Sequence, residues 1–227
     1  MSQTAEKILF AWSSGKDSAM ALHELQQSNG CEIVGLLTTI TEGYERISIH
    51  GVREELLDAQ AASIGLPLTK VWIPQESSLD EYERRMGAAL DPFVSQGVSG
   101  VAFGDIFLED LRKDREDKLA RVGLKGVFPI WKRDTAELAR RFITEGFKAI
   151  ITCVDTEFLD ASFSGRAFDE QLLTDLPESV DPCGENGEFH SFTHDGPIFN
   201  NPIACDKGEI VLRNNRFCFC DLTAAGC

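Results

Sequence analysis

The hydrophobic and polar positions of this chain follow two alternating periods, which predict strands and helices in regular succession. Continuous apolar runs at residues 8–11, 31–40 and 68–73 are typical of strands buried in a parallel sheet. Over residues 50–64, apolar positions recur at the three- and four-residue spacing of an amphipathic helix. The same reasoning predicts strands at residues 100–103, 126–130 and 149–154, helices at residues 78–94, 108–122 and 134–145, and a first helix that ends at Asn29 and Gly30.

This strand–helix alternation predicts an α/β fold, with a Rossmann-like, mostly parallel sheet that carries helices on both faces. In such sheets, ligands bind at the carboxyl ends of the strands. Three segments follow predicted strands and are therefore expected along one rim of the sheet. They are the turn at residues 13–18, Thr38 with Thr39, and Gly104 with Asp105.

The pattern changes in the last third of the chain, where we predict a smaller α+β domain. A helix is predicted over residues 160–173, whereas residues 176–202 are rich in the turn formers Pro, Gly, Asn and Asp. Residues 209–222 contain two strand-like runs around Asn214 and Asn215. Because asparagine tolerates positive φ, this dipeptide predicts a β-hairpin.

The composition is that of an ordinary globular protein, 43% hydrophobic and 26% charged, and it excludes several classes of function. The net charge of −15 opposes nonspecific binding to nucleic acid, which depends on neutralising phosphates. No apolar run approaches the roughly 20 residues of a membrane span, and the polar N-terminus lacks a signal-peptide pattern. The odd number of cysteines, seven, and the absence of a signal-peptide pattern indicate reduced thiols and a cytoplasmic location, and the lack of a C-x-x-C pair counts against a zinc or iron–sulfur site.

The turn at residues 13–18, called the 13–18 turn below, is the segment best suited to chemistry. It joins an apolar strand to a helix, and such a junction presents backbone N–H groups and the positive end of the helix dipole to an oxyanion, above all phosphate. Lys16 adds a positive charge, and the serines add hydroxyl donors. The turn is not a Walker A loop, because Phe10 occupies the position of that motif's first glycine.

The 13–18 turn resembles the PP-loop of the ATP pyrophosphatases, Ser-Gly-Gly-Lys-Asp-Ser, with Ser14 in place of the first glycine. These enzymes, which belong to the adenine nucleotide α-hydrolase-like superfamily, cleave ATP between its α and β phosphates. The resemblance implies that the turn and the two other rim segments bind ATP. The expected ATP-binding residues are Ser13, Ser14, Gly15, Lys16, Asp17, Ser18, Thr38, Thr39, Gly104 and Asp105.

A second polar stretch, residues 181–191, combines carboxylates, glycines and a histidine, and we call it the 181–191 segment. Its last seven residues, which follow Gly184, look like the Glu-Gly-Gly-Glu-Phe-His-Thr signature of the diphthine–ammonia ligase family, with Asn186 in place of a glycine and Ser191 in place of the threonine. Three further segments resemble that family, in the same order along the chain, at residues 50–53, 103–106 and 128–131.

This second resemblance implies an ATP-dependent amide ligase. Such an enzyme adenylates an acceptor carboxylate, releases pyrophosphate and then amidates the carboxylate with ammonia; the family's acceptor is diphthine on elongation factor 2. Lys16 and Asp17 are expected to be catalytic, and Asp17 is expected to hold Mg²⁺, because a carboxylate at a phosphate site needs a cation. Glu188 and His190 are expected to be catalytic on the acceptor side. The expected acceptor-binding residues are Gly184, Glu185, Gly187, Glu188 and His190.

We predict an ATP-binding domain over residues 1–132 and an acceptor-binding domain over residues 133–227. Two other functions stay open at this point. One is a PP-loop enzyme that thiolates tRNA, against which the negative charge and the missing C-x-x-C pair count. The other is a non-catalytic nucleotide-binding module, which has no need of Lys16 or His190. The sequence also leaves open the true acceptor, the source of nitrogen and a homodimeric state.

Overall fold

The chain forms two β-sheets, one mostly parallel and one antiparallel. The computed structural model describes residues 5–28, 30–44, 46–47 and 50–226. The first sheet contains β1 (Glu6–Ala11), β2 (Cys31–Thr41), β3 (Arg46–Ile47), β4 (Leu68–Ile73), β5 (Val98–Ala102) and β6 (Lys125–Val127). The second contains β7 (Lys148–Asp155), β8 (Phe189–Asp195), β9 (Cys205–Arg213) and β10 (Phe217–Ala224). The helices are α1 (Lys16–Gln27), α2 (Glu54–Ile64), α3 (Leu79–Ser95), α4 (Glu109–Ala120), α5 (Thr135–Thr144) and α6 (Glu170–Asp175).

The parallel strands of the first sheet have the order β4-β2-β1-β5-β6, and the short β3 pairs antiparallel with Ile40 and Thr41 at the end of β2. The Rossmann-like sheet that the sequence predicts is thereby confirmed. The order reverses beside β1, whose neighbours are β2 and β5. A crevice forms at such a reversal, outside the carboxyl ends of the strands, and it is the usual ligand site of this architecture.

Three of the six described α-helices, α3, α5 and α6, begin at a side-chain cap, and α1 is among those that do not. Ser78 caps α3 by accepting a hydrogen bond from the Glu81 backbone N–H at 3.2 Å, and Asp134 caps α5 in the same way. The cap position of α1 is Gly15, which has no side chain. The first N–H groups of α1 are therefore satisfied by other parts of the protein or by a ligand.

The second sheet has the strand order β8-β7-β10-β9, and all of its neighbouring strands are antiparallel. The strand that the sequence predicts at residues 149–154 is present as β7, but it does not continue the parallel sheet as the alternation suggested. Every residue from 149 to 155 is buried. A strand that is covered on both faces has the same continuous apolar pattern in either kind of sheet, so the pattern did not reveal its partners.

The C-terminal region confirms one prediction and modifies two others. The hairpin between β9 and β10 is present, with φ of 53° at Asn214 and 52° at Asn215. The helix predicted over residues 160–173 is reduced to a 3₁₀ turn at Ala161–Phe163 and the short α6, with Gly165 at φ 80° between them. The turn-rich residues 176–202 contain β8, which pairing with β7 stabilises.

Two further findings concern the helices. The end of the first helix was predicted at Asn29 and Gly30, and Asn29 lies outside the described residues. No helix in the described part of the chain is long and apolar enough to cross a membrane.

The two sheets share one hydrophobic core. Phe10 and Trp12 from the first sheet belong to the same buried cluster as Phe142 of α5 and Phe189 and Phe192 of β8. A backbone hydrogen bond also crosses between them, since the N–H of Thr193 donates to the carbonyl of Ser14 at 2.9 Å. β8 is thus held against the 13–18 turn.

Candidate active site

The 13–18 turn leaves β1 and enters α1 through a tight left-handed bend. Ser14 is fully buried and has a φ of 70°, a conformation that favours glycine. This explains why the resembling motif has a glycine at this position. The hydroxyls of Ser13 and Ser18 lie 2.7 Å apart and close the turn, while the backbone N–H of Lys16 donates to the Ser191 hydroxyl at 3.2 Å.

The side chain of Lys16 is buried under the 181–191 segment. Its Nζ donates to both carboxylate oxygens of Asp17, at 2.8 and 3.0 Å, and to the backbone carbonyl of Cys183. The ring of Phe189 lies 5.2 Å from the same nitrogen. Burial alone lowers the pKa of Lys16, but the adjacent Asp17 carboxylate raises it above its ordinary value. The ammonium therefore stays charged at the point where phosphate is expected.

Carboxylates from both parts of the chain gather around Lys16. Burial raises the pKa of Asp17, and the charge of Asp181 adds to that effect. Burial also raises the pKa of Glu185 to about 7, with the charge of Asp17 contributing. Glu185 Oε1 accepts hydrogen bonds from the N–H groups of Ile106, at 2.7 Å, and Phe107, at 3.3 Å. The 181–191 segment is thus tied to the loop after β5.

Glu188 lies within the 181–191 segment and not at its surface. Its side chain is only 3% exposed, and Oε1 accepts hydrogen bonds from the Asp181 N–H at 3.1 Å and the Asn186 amide at 3.0 Å. Gly184 and Gly187 have φ of 67° and 90°. Asn186, which departs from the family signature, thus has Glu188 as a hydrogen-bond partner in the same loop. Through its two hydrogen bonds, Glu188 holds the shape of the segment.

His190 meets a second histidine that sequence reasoning did not assign to the site. Its ring centroid lies 4.7 Å from that of His50, and His50 Nδ1 lies 3.5 Å from the Ser191 carbonyl. Burial lowers the pKa of His50 to about 4, and burial together with the neighbouring His50 and Lys16 lowers the pKa of His190 well below its ordinary value. Both imidazoles are therefore neutral. A Cβ added at Gly15 would lie 3.1 Å from His50 Cε1, so the pair lies directly against the 13–18 turn.

The other predicted ATP-binding residues lie at the same edge of the sheet. A Cβ added at Gly104 would lie 2.8 Å from the backbone of Asp17 and Ser18, so only glycine allows this approach. Asp105 instead pairs with Arg115 of α4, with 2.7 Å between Oδ2 and Nε. Thr38 is buried and donates its hydroxyl to the Trp12 carbonyl at 2.7 Å, and Thr39 is half-buried. Within the described structure, the Asp105 carboxylate and the Thr38 hydroxyl thus have protein partners.

Gln60 of α2 is the other site residue that sequence reasoning missed. It is fully buried, and its Nε2 donates to the carbonyls of Ser14 at 3.1 Å and Thr193 at 2.6 Å. Its Oε1 accepts a hydrogen bond from the Trp12 indole N–H at 2.9 Å. The available signal was an amide on the apolar face of a predicted helix, since a polar residue is rarely buried there without partners.

Comparison with known proteins assigns the chain to a family. The profile of the diphthamide synthase N-terminal domain matches residues 6–126, and that of the diphthamide synthase C-terminal domain matches residues 134–225. A curated diphthine–ammonia ligase of Danio rerio is 29% identical over 224 residues, which cover 89% of this chain and 88% of that protein. The diphthine–ammonia ligase of Homo sapiens is 31% identical over 122 residues, 52% of this chain and 46% of the longer human protein.

A solved structure offers a weaker likeness. It is described as a predicted subunit of tRNA methyltransferase from Methanocaldococcus jannaschii, and it has a TM-score of 0.39 and 14% sequence identity over 82% of this chain and 95% of its own. That score is too low to support an argument. The matched family profiles, in contrast, cover both sheets, and on that basis the chain belongs to the diphthamide synthase family.

Proposed function

We propose that this protein is an ATP-dependent amide ligase, which adenylates an acceptor carboxylate and amidates it with ammonia. One observation carries the proposal beyond family membership. The 181–191 segment meets the 13–18 turn at Lys16, which contacts both the Asp17 carboxylate and the Cys183 carbonyl. A phosphate-binding turn and a segment rich in carboxylate and imidazole groups therefore share one crevice.

The chemistry explains why these groups belong together. A carboxylate at neutral pH is a poor electrophile, so its oxygen first attacks the α-phosphorus of ATP and pyrophosphate leaves. The nitrogen lone pair of ammonia then attacks the acyl carbon, and AMP leaves with the electron pair of the broken C–O bond. In the bound state, Lys16 and the first N–H groups of α1 exchange their present partners for phosphate oxygens. These groups stabilise the negative charge that develops on the departing pyrophosphate.

Asp17 is the residue that would hold Mg²⁺. The described residues include no cluster of three or more His, Cys, Asp or Glu side chains that could hold a metal ion unaided. Mg²⁺ needs no such cluster at a nucleotide site, because it is usually held by one or two carboxylates together with phosphates and water. The Asp17 side chain is 29% exposed and lies at the helix terminus that would receive the phosphates, so it fits this role. The ion would neutralise phosphate charge there.

The ammonia side of the reaction is assigned to Glu185, His190 and His50. Ammonium must lose a proton before its nitrogen can attack. Glu185, with a pKa of about 7, is poised to hold ammonium or to take that proton. The neutral imidazoles of His50 and His190 can accept a hydrogen bond from the same cation. Glu188, which holds the loop together from inside, positions this set.

The proposed acceptor is diphthine, which the names of the relatives give for those proteins, or a related carboxylate. The family resemblance implies that the diphthine lies on elongation factor 2. The use of ATP and an acceptor of this kind support a cytoplasmic location. We assign ATP binding to residues 1–132 and acceptor binding to residues 133–227. This division is supported by the two sheets and by the profile matches on either side of it.

The test is to incubate the protein with ATP, Mg²⁺, isotopically labelled ammonium and candidate acceptors, and to measure AMP, pyrophosphate and labelled amide. We expect all three products in equal amounts, and their loss in Lys16→Ala. The matched control is Lys113→Ala, which removes an exposed lysine from α4. Circular dichroism should show that both variants remain folded.

Three results would contradict the proposal. ATP binding without turnover in the presence of every acceptor would favour a non-catalytic module. AMP formation that requires a sulfur donor would favour thiolation. Unchanged turnover in Lys16→Ala would show that the 13–18 turn is not part of the active site. A separate variant tests the role of Asp17 in holding Mg²⁺. Asp17→Asn should weaken Mg²⁺-dependent ATP binding, whereas the control Asp80→Asn, in the first turn of α3, should not.

A further inference from the structure

The outer strand of the second sheet, β9, has an edge that the described strands leave uncovered. In that part of the chain β9 pairs with β10 alone, and its residues from 206 to 213 are all exposed. Three consecutive apolar side chains lie on it: Ile210, Val211 and Leu212 are 57%, 38% and 54% exposed. An exposed apolar edge strand offers unpaired backbone groups to another strand. This edge is therefore suited to strand pairing.

The two faces of β9 differ in chemistry. Glu209, Val211 and Arg213 line a cleft of about 640 Å³, whose other wall includes Thr41, Tyr44, Arg46, Ile47 and Gly51. Ile210 and Leu212 point to the opposite face, where Ile210 is in register with the buried Cys220 of β10. They continue the apolar face of the sheet to its edge, where about half of each side chain is exposed.

The order of charges along β9 selects one partner and one register. In an antiparallel pair of identical strands with Val211 opposite Val211, Glu209 lies opposite Arg213 of the other copy, and twofold symmetry repeats this contact. Ile210 lies opposite Leu212 in the same way. If the axis moved to Ile210, Lys207 would lie opposite Arg213, and like charges directly opposite each other are destabilising. The sequence of the strand therefore complements itself in the first register.

Glu209 and Arg213 have no comparable contact within one chain. Along a strand, four residues span about 13 Å, which is too far for an ion pair. Among the described residues, neither side chain forms an ion pair with another group. Both charges are thus available for a partner.

We propose that the protein forms a twofold dimer through β9, with a second copy of the same chain as the partner. The two four-stranded sheets then become one eight-stranded antiparallel sheet. The pairing of β9 with β10 shifts register between Cys220 and Leu222, so the regular pairing covers Ile210–Arg213 and Glu209 adjoins its end. Because the contact is short, the dimer depends on protein concentration.

Charge reversal tests both the partner and the register. Sedimentation velocity over a wide concentration range should show a monomer–dimer equilibrium for the unaltered chain. Glu209→Arg and Arg213→Glu should each weaken dimerisation about tenfold or more, because each places two like charges opposite each other at both ends of the contact. The double variant Glu209→Arg/Arg213→Glu should restore it. Restoration can only be intermolecular, since the two residues do not reach each other in one chain.

Cysteine cross-linking gives an independent test that does not depend on charge. Val211→Cys places two thiols across the twofold axis and should form a disulfide-linked dimer under mild oxidation. Leu212→Cys, which faces Ile210 of the other copy, should cross-link much less, and the unaltered chain sets the background from its own cysteines. A monomer at every concentration, or a dimer that is insensitive to both charge reversals and to the position of the added cysteine, would overturn the proposal. Because β9 is exposed, these variants should fold, and thermal unfolding verifies that they do.

Discussion

The imidazole ring of His50, on the segment before α2, lies 4.7 Å from that of His190 on β8. Each ring comes from a segment linked to a different sheet, and the pair lies against Gly15 of the 13–18 turn. Spacing along the chain predicts neither the burial of His50 nor its contact with His190, since 140 positions separate the two residues. The pair nevertheless has a measurable consequence for stability.

We expect the protein to lose stability in mild acid because of this pair. The pKa of His50 is about 4 in the folded protein, below its ordinary value of 6.5. A depressed histidine pKa means that the unfolded chain binds the proton more tightly, so the stability is complete above pH 6.5 and falls as the pH drops towards 4. Urea unfolding at several pH values should show His50→Gln losing less stability over this range, by on the order of 2 kcal/mol.

The matched control is His23→Gln, which removes an imidazole from α1 instead. If it changes the acid sensitivity as much as His50→Gln does, the effect does not come from the His50–His190 pair.

Glu185 should have the opposite pH dependence. Burial raises its pKa to about 7, above the ordinary value of 4.5, so the ionised carboxylate is destabilising at alkaline pH. The penalty fades as the pH falls from 7 to 4.5, because the folded protein takes up the proton first. Glu185→Gln should therefore stabilise the protein at pH 8 by on the order of 2 kcal/mol and have little effect near pH 4.5. The amide oxygen can still accept from the Ile106 N–H, so the loop contact is retained.

The same variant separates stability from activity. If Glu185 takes the proton from ammonium, Glu185→Gln should be more stable but form amide much more slowly. A variant that is neither stabilised at pH 8 nor impaired in amidation would contradict both roles. Glu178→Gln, at an exposed position between α6 and the 181–191 segment, is the control.

Ser14→Gly should stabilise the protein. Ser14 has a φ of 70°, and its buried hydroxyl has no hydrogen-bond partner among the described residues. Left-handed backbone costs a residue with a Cβ roughly 1–2 kcal/mol, and the greater freedom of glycine in the unfolded chain offsets part of the gain. We expect a net gain of about 1 kcal/mol by thermal or urea unfolding, with ATP turnover retained. Ser14→Ala, which keeps the Cβ, should show less of this gain, and equal effects of the two substitutions would rule out backbone strain as the cause.

Gln60→Leu should destabilise the protein and disturb ATP binding together. The substitution preserves volume but leaves the Ser14 carbonyl, the Thr193 carbonyl and the Trp12 indole N–H without their shared partner. The loss of several buried hydrogen bonds should cost about 2–4 kcal/mol in urea unfolding. Gln26→Leu, at an exposed position on α1, should change stability very little. A Gln60→Leu protein of normal stability would show that this side chain does not hold the 13–18 turn.

The sequence by itself determined the parts of this protein that depend on local pattern. The periodicity of apolar positions and the turn-forming residues were enough to predict the parallel sheet, most helices and the hairpin at Asn214 and Asn215. These features follow from side-chain alternation and turn chemistry. The 13–18 turn was likewise apparent, since its strand, its small residues and its helix are contiguous. The family resemblance, which the profile matches confirm, also rests on contiguous motifs.

Tertiary structure decided everything that joins distant positions. It directed β7 into an antiparallel sheet, although its apolar run is equally typical of a parallel strand. It placed Glu188 inside its own loop, paired Asp105 with Arg115 and brought His50 to His190. The physical reason is that the energy of a buried polar group depends on the partners it meets on folding, and those partners are set by the packing of the two sheets and not by the neighbouring sequence.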